Sequence, residues 1–328
     1  MPDPVFLHMP ASISPDVSVN PQCMTIRRAH FADDITFHAP GLRRYRTSEY
    51  RQQDASTFVS ISLTGTACAL GCEHCKTRVL QSMVDFTHYS GSLFDLCAAL
   101  ARRGARGVLI SGGSDTHGRV PLMPYIPDLT RVRRELGLLV RVHPGLPDEA
   151  TCAALAGVDV DGAMVDIIGH EDTIRQVYHL DATPEDYEGV LERLHRYGIP
   201  AIPHIILGLH FGRMLGEWRA LDMVVRYPPK LLVIVVLMPL TGTPMVGVDP
   251  PSLQEIGAFF ELARCRLPST PIMLGCARPL GPLKPYIDRL AIDAGLNGIA
   301  YPSEGTVRYA RERNLKPIFV DACCGVAW

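Results

Sequence analysis

Cys68, Cys72 and Cys75 stand at C-x3-C-x2-C spacing inside Thr64-Gly65-Thr66-Ala67-Cys68-Ala69-Leu70-Gly71-Cys72-Glu73-His74-Cys75. Three thiolates this close can hold three corners of a four-iron, four-sulfide cube, leaving the fourth iron open to a small molecule. The same thiols, joined by His74, could instead close a structural zinc site. The apolar run Phe58–Leu63 directly before the cysteines reads as a β-strand, which puts the loop at a strand's C-terminal end.

Further β-rich runs follow at Val108–Ser111, Leu138–Val142, Gly162–Ile168, Ala201–Leu207, Leu231–Leu237, Pro271–Leu274 and Gly298–Tyr301, separated by helical stretches. Thr183-Pro184-Glu185-Asp186 carries a cap, a first-turn proline and acids at the positive dipole end, ahead of an apolar face of Tyr187, Val190, Leu191 and Leu194. Ser252-Leu253-Gln254-Glu255 reads as a capping box. Eight strands alternating with helices predict an α/β protein, a parallel (β/α)8 TIM-type barrel with reactive groups at the strands' C-terminal ends. Residues 1–56, with prolines at 2, 4, 10, 15 and 21, read as an irregular N-terminal arm; 57–306 form the barrel; 307–328 form a C-terminal helix and a short cysteine-containing tail.

The 328 residues are 47% hydrophobic and 20% charged, which excludes a disordered or fibrous chain. A formal net charge of −2 gives no general attraction to nucleic acid or an anionic membrane. The longest apolar run, Leu231 to Met238, is far short of the roughly 20 residues a membrane span needs, and Met1-Pro2-Asp3-Pro4 lacks the basic start of a secretory signal. The expectation is a cytoplasmic protein whose ten cysteines are metal ligands, redox groups or core residues rather than disulfides.

In spacing and placement the cysteine loop resembles that of the radical S-adenosylmethionine enzymes. The resemblance implies that Cys68, Cys72 and Cys75 ligate a [4Fe–4S] cluster, and that the open iron binds the amino and carboxylate groups of S-adenosylmethionine. An electron from the cluster would then cleave the sulfonium to a 5′-deoxyadenosyl radical. His74 takes the place before the third cysteine where the family often has an aromatic ring. Gly112, Gly113 and Ser114 match the family's segment at the methionine end, although a Gly-Gly pair alone is often only a turn. Asp166, an acid in an apolar run, needs a partner if buried: a ribose hydroxyl, a substrate cation or a structural salt bridge. His143 and His204 sit near strand ends as polar ligands or hydrogen-bonded core residues, and Ile202–Leu209 is similar to the segment that lies near the adenine.

Leu237–Met245 and Gly275-Cys276-Ala277-Arg278-Pro279 are similar to the biotin synthase-related branch. There the resemblance sets Arg278 and Cys276 against substrate or a second cluster, while Cys276 could equally be a small core residue. Cys97 and Cys152 lie at helical core spacing, and Cys265 is ambiguous. Cys323 and Cys324, in a tail able to fold across a barrel mouth, could join Cys23 and Cys276 around a second iron–sulfur cluster or be an exposed thiol pair. Ser60–Gly65 and Ala294–Ala300 extend the likeness to the two-component lipoyl synthases. This implies sulfur insertion into an octanoyl chain on a lipoyl carrier protein, with a second radical S-adenosylmethionine subunit and a reductant such as ferredoxin or flavodoxin. Single-chain lipoyl synthase has an N-terminal cysteine motif without counterpart here, since Cys23 is the only cysteine before Cys68. The alternatives are a radical rearrangement or methylation without sulfur insertion, and a zinc-stabilised binding scaffold.

Overall fold

The computed structural model describes residues 17–41 and 44–326, so the proline-rich start at 1–16 lies outside the described residues. The strands are β1 (Asp34–His38), β2 (Phe58–Ser62), β3 (Val84–Asp85), β4 (Gly107–Ser111), β5 (Leu139–Val142), β6 (Gly162–Asp166), β7 (Ala201–Leu207), β8 (Leu232–Val236), β9 (Ile272–Leu274), β10 (Gly298–Ala300) and β11 (Lys316–Val320). The helices are α1 (Gln22–His30), α2 (Leu93–Arg102), α3 (Ile126–Arg131), α4 (Glu149–Val158), the single turn α5 (Glu171–Thr173), α6 (Pro184–Arg196), α7 (Glu217–Arg226), α8 (Leu253–Arg266), α9 (Leu283–Asp293) and α10 (Thr306–Glu312). Side chains close the expected N-terminal caps: Thr183 and Asp186 on α6, and Ser252 and Glu255 on α8, each satisfy the other's backbone amide.

All eight expected strands form, but they do not make a closed (β/α)8 barrel. One all-parallel sheet of eleven strands runs β11-β1-β10-β9-β8-β7-β6-β5-β4-β2-β3, and among the described residues its two edge strands do not pair. The strands alternate between two buried faces, as a parallel sheet under helices must. Ile61, Ile110, Val165, Ile205, Ile234 and Ile299 pack outward with the helices. Leu109, Met164, Ile202, Val233, Met273 and Ala300, from six strands spread across the sheet, share one inner cluster, so the sheet curves around a lumen.

The expected irregular arm contains α1 and β1, and β1 lies between β10 and β11. Arm and tail therefore belong to the same sheet as the barrel segment. The sequence signal was weak because α1 has no side-chain cap and buries a cysteine and an arginine, Cys23 and Arg27, one turn apart. Arg27 spends its guanidinium on the carbonyls of Ala32 and Asp34, fastening α1 to the start of β1.

After β11 the chain turns inward. Asp321 accepts hydrogen bonds from the Tyr50 hydroxyl at 2.8 Å and from the amides of Gln53 and Asp54 at 2.6 and 2.9 Å. Ala322, Cys324 and Val326 are then buried in the inner cluster, with Gly325 against Ile202 and Met164. His38 at the end of β1 is 2% exposed and donates to the Ala322 carbonyl, which ties the inserted tail to the sheet.

Burial pushes the His38 pKa down to about 4. The unfolded chain, with a histidine near 6.5, then binds the extra proton first as pH falls, so stability is lost between about pH 6.5 and 4. The full span corresponds to about 3 kcal/mol. In His38→Gln, which keeps a donor for Ala322 and cannot titrate, urea unfolding should lose correspondingly less stability between pH 7 and 4 than the parent does.

Candidate functional site

The cysteine loop leaves β2 at Ser62, whose hydroxyl donates to the Gly65 carbonyl at 2.6 Å and turns the chain over the lumen. Thr64 then couples this loop to the one after β4. Its hydroxyl oxygen accepts from the Gly113 amide at 2.7 Å while its proton goes to the Ala67 carbonyl at 2.8 Å. Leu63 and Ala69 donate to the carbonyls of Ser111 and Ser114, both at 2.8 Å. The approach is so close that a Cβ on Gly113 would collide with the Ala67 carbonyl and with Cys68. An open cavity of about 480 Å3 borders this junction, lined in part by Thr64, Cys68, Gly113 and Ser114.

The far side of the loop is fixed by the segment after α5, a π-helical turn Ile174–Tyr178. The Glu73 amide donates to Val177 at 2.9 Å, and the Glu73 carboxylate meets Lys76 Nζ and His179 Nε2 at 2.8 Å each. Between these anchors Cys72 and Cys75 come together. Cys72 is within hydrogen-bond reach of Cys75 and feels the charge of Cys68, and its sulfur lies 4.0 Å from the Tyr178 carbonyl. The bond from Cys72 lowers the Cys75 thiol to about 7, while burial and its neighbours push Cys72 up.

Behind the loop lies a chain of polar side chains. His74 is enclosed, its Nδ1 has no hydrogen-bond partner, and burial pushes its pKa down. Its ring centroid is 5.2 Å from that of Tyr178, whose hydroxyl donates to Asp166 Oδ2 at 3.0 Å. Asp166 Oδ1 is 4.0 Å from His143 Nε2, and the His143 and His204 rings are 6.5 Å apart. Asp166 and His204 are register partners on β6 and β7. His204 Nδ1 lies 3.0 Å from the Ile202 carbonyl and burial holds its pKa near 4, so the ring is neutral, with Nδ1–H donating and Nε2 left as an acceptor. Within the chain, the Tyr178 hydroxyl, rather than a salt-bridge cation, is the hydrogen-bond partner of Asp166. It was not legible in the sequence, where Val177-Tyr178-His179 carries no motif.

The inserted tail brings Cys323 and Cys324 to the lumen, and Cys276 packs at the edge of the same cluster. Cys324 donates to Cys323, which lies at about 7 with help from the Gly325 amide and the Arg141 guanidinium; burial and the charges of Cys323 and Cys276 keep Cys324 high. Arg141 was missed although it carried the same signal as Asp166, a charge inside an apolar strand.

Two expectations are corrected by the structure. Arg278 does not face a substrate or cluster. It is 0% exposed, donates through Nε to Asp288 of α9 at 2.7 Å, and spends Nη1 and Nη2 on the carbonyls of Gly275 and Tyr301. Asp288 also accepts from the Ser303 amide and hydroxyl and from Thr306, so the pair clips the loops after β9 and β10 to α9. Cys23 does not join the tail cysteines. It lies on α1, hydrogen-bonded to Cys265 of α8.

No protein-family model matches the chain, and no curated protein matches it. Solved structures do. A methylornithine synthase aligns over 90% of this chain and 87% of its own, at 15% identity and TM-score 0.58. A hydrogenase maturase from Carboxydothermus hydrogenoformans aligns over 92% and 72%, at 15% identity and TM-score 0.57. The Streptococcus suis protein SuiB, solved with S-adenosylmethionine, aligns over 69% of this chain and 50% of its own, at 11% identity and TM-score 0.50. The chain shares their fold. What they share with it is the curved parallel α/β sheet flanked by helices, not a closed (β/α)8 barrel.

Removing one member of a buried ion pair leaves the other unpaired and costs about 3–5 kcal/mol. Arg278→Leu should lose stability on that scale in urea unfolding, whereas Arg278→Leu combined with Asp288→Asn should recover a substantial part of it. Equal losses in both would show that the ion pair is not what the substitution removes.

Proposed function

We propose that this chain is a radical S-adenosylmethionine enzyme, with Cys68, Cys72 and Cys75 holding a [4Fe–4S] cluster and Gly112, Gly113 and Ser114 receiving the methionine end of S-adenosylmethionine. The carrying observation is the junction of the two loops, where the cysteine loop leaves a strand end and brings Cys68 within contact of the Gly113 backbone. The residues fit the group: a thiol near 7 is readily available as a thiolate ligand, and the cavity beside Cys68 and Gly113 is open to a small molecule. When bound, the cluster and S-adenosylmethionine would supply a 5′-deoxyadenosyl radical. The chain's own part is to place Asp166, His204 and the enclosed His74 around the reactants and to exclude water with the apolar inner walls.

For the substrate, the reading is sulfur insertion into an octanoyl chain on a lipoyl carrier protein, with a second radical subunit and a ferredoxin or flavodoxin as reductant. Its support is the tail, which carries Cys323 and Cys324 into the lumen toward Cys276. Free thiols inside such a chamber would be hydrogen donors to a carbon radical, which favours their being occupied as ligands of a second iron–sulfur cluster. Methylornithine synthase shares the fold, so rearrangement without sulfur insertion is the second reading.

Anaerobic reconstitution with iron and sulfide separates these readings. The expected result is about eight irons per chain, about four for each cluster. Cys68→Ala, Cys72→Ala or Cys75→Ala should abolish S-adenosylmethionine cleavage and remove about half of the iron. Gly113→Ala, which forces the loops apart, should lower retained iron at least twofold without changing the far-ultraviolet circular dichroism. Zinc without sulfide in the parent chain would overturn the radical reading.

Cys276→Ser, Cys323→Ser or Cys324→Ser should each lower iron from about eight to about four while S-adenosylmethionine cleavage persists. Mass analysis of an octanoylated carrier incubated with reductant, S-adenosylmethionine and the second subunit should show added sulfur. Nucleoside release without that added mass keeps the radical reading and rejects the lipoyl one.

A further inference from the structure

Away from the lumen, on the outer layer, a second pair of thiols meets across two helices. Cys23 of α1 is 1% exposed and its thiol is hydrogen-bonded to that of Cys265, which is exposed near the end of α8. The helices are held in register around the pair. The Asn20 amide donates to Glu261 Oε1 at 2.8 Å, and Val17 lies against Gly257. On the other side, Gly295 fits against the Cys23 carbonyl and the Arg27 stem, with a separation of 3.1 Å from that carbonyl to a notional Cβ. Neither thiol takes part in the site described above.

We infer that Cys23 and Cys265 form a redox-responsive disulfide that staples α1 to α8. With hydrogen peroxide as oxidant, the accessible Cys265 thiol is oxidised first to a sulfenic acid, one oxygen passing to sulfur and one water leaving. The Cys23 sulfur then attacks the Cys265 sulfur, the S–O bond breaks and a second water leaves. Altogether two thiols lose two protons and two electrons, and one peroxide becomes two waters. Forming the bond requires the sulfurs to close from hydrogen-bond contact to about 2.05 Å, between two helices that pack together at Asn20–Glu261 and Val17–Gly257.

The placement gives the bond a consequence. The loop it closes spans most of the chain, the case in which a crosslink constrains the unfolded state most. It also fixes the unit that seats the tail, because α1 leads through Arg27 into β1, and β1 ends in His38, which holds Ala322. The disulfide itself does not depend on the cluster reading.

The test uses the full chain, isolated without iron, reduced under argon and then treated with a small excess of peroxide. Free thiols are capped with N-ethylmaleimide and peptides mapped without reduction. A peptide pair joined through Cys23 and Cys265 and 2 Da lighter than the sum of its reduced parts is expected. It should disappear in Cys23→Ser and Cys265→Ser. The unfolding temperature of the oxidised parent should rise by several degrees and fall again with dithiothreitol, with no such rise in Cys265→Ser. A vicinal Cys323–Cys324 disulfide gives a different peptide and cannot account for that pattern. Recovery of Cys265 only as free thiol, as sulfinic or sulfonic acid, or in an intermolecular bond would overturn the inference.

Discussion

A curved parallel sheet has an inner face that must be kept from water, and here the sheet does not close around it. The inner positions of β4 through β10 are apolar enough to require cover. The chain supplies it from its own end. β11 adds to β1, and the residues after it fold into the lumen, anchored by Asp321 on the 50–54 segment and by His38 at Ala322. The same insertion that completes the core delivers two thiols to the interior. Structural need and chemical placement are thus met by one segment.

The candidate site follows from this arrangement as a division of the lumen. Apolar inner side chains and the tail fill one part, and His143, Asp166 and His204 stand at the strand ends near the cysteine loop. The loop itself has little regular structure and is held by two sets of bonds. Thr64 and Ala69 join it to the segment after β4, while Glu73 joins it to Val177 and His179. Each hydrogen bond contributes only about 1 kcal/mol net. Together they restrict the positions of three thiols whose usefulness depends on their mutual spacing.

The strands of the barrel were legible because each is a short apolar run bounded by turn residues, and the cysteine loop because its spacing is chemically specific. What escaped did so for identifiable reasons. β1 alternates acid, apolar, polar, apolar, histidine over five residues, a pattern that becomes a strand only once β10 and β11 flank it. α1 buries Cys23 and Arg27, residue types that read as exposed or functional in a lone sequence. Tyr178 reaches Asp166 from a π-helical turn whose register no helical period predicts. Closure of the sheet depends on pairing between its two edge strands, far apart in the chain, and local patterning does not specify it.

Arg278 and Asp166 show how the two faces of one sheet treat buried charge. Both are ionisable residues at strand ends and both looked like site residues. Arg278 points to the helical layer, where Asp288 and two carbonyls take Nε, Nη1 and Nη2, and Asp288 in turn is saturated by Ser303 and Thr306. Asp166 points to the lumen, where Tyr178 binds one oxygen and the other stands 4.0 Å from His143. His74, beside the third cysteine, keeps Nδ1 without a partner, and His204 leaves Nε2 as an open acceptor. A buried polar group with its capacity filled stabilises a fold, whereas unfilled capacity costs stability and persists where a ligand can fill it. On this physical ground the lumen side, rather than the more heavily bonded Arg278, is where binding is to be sought.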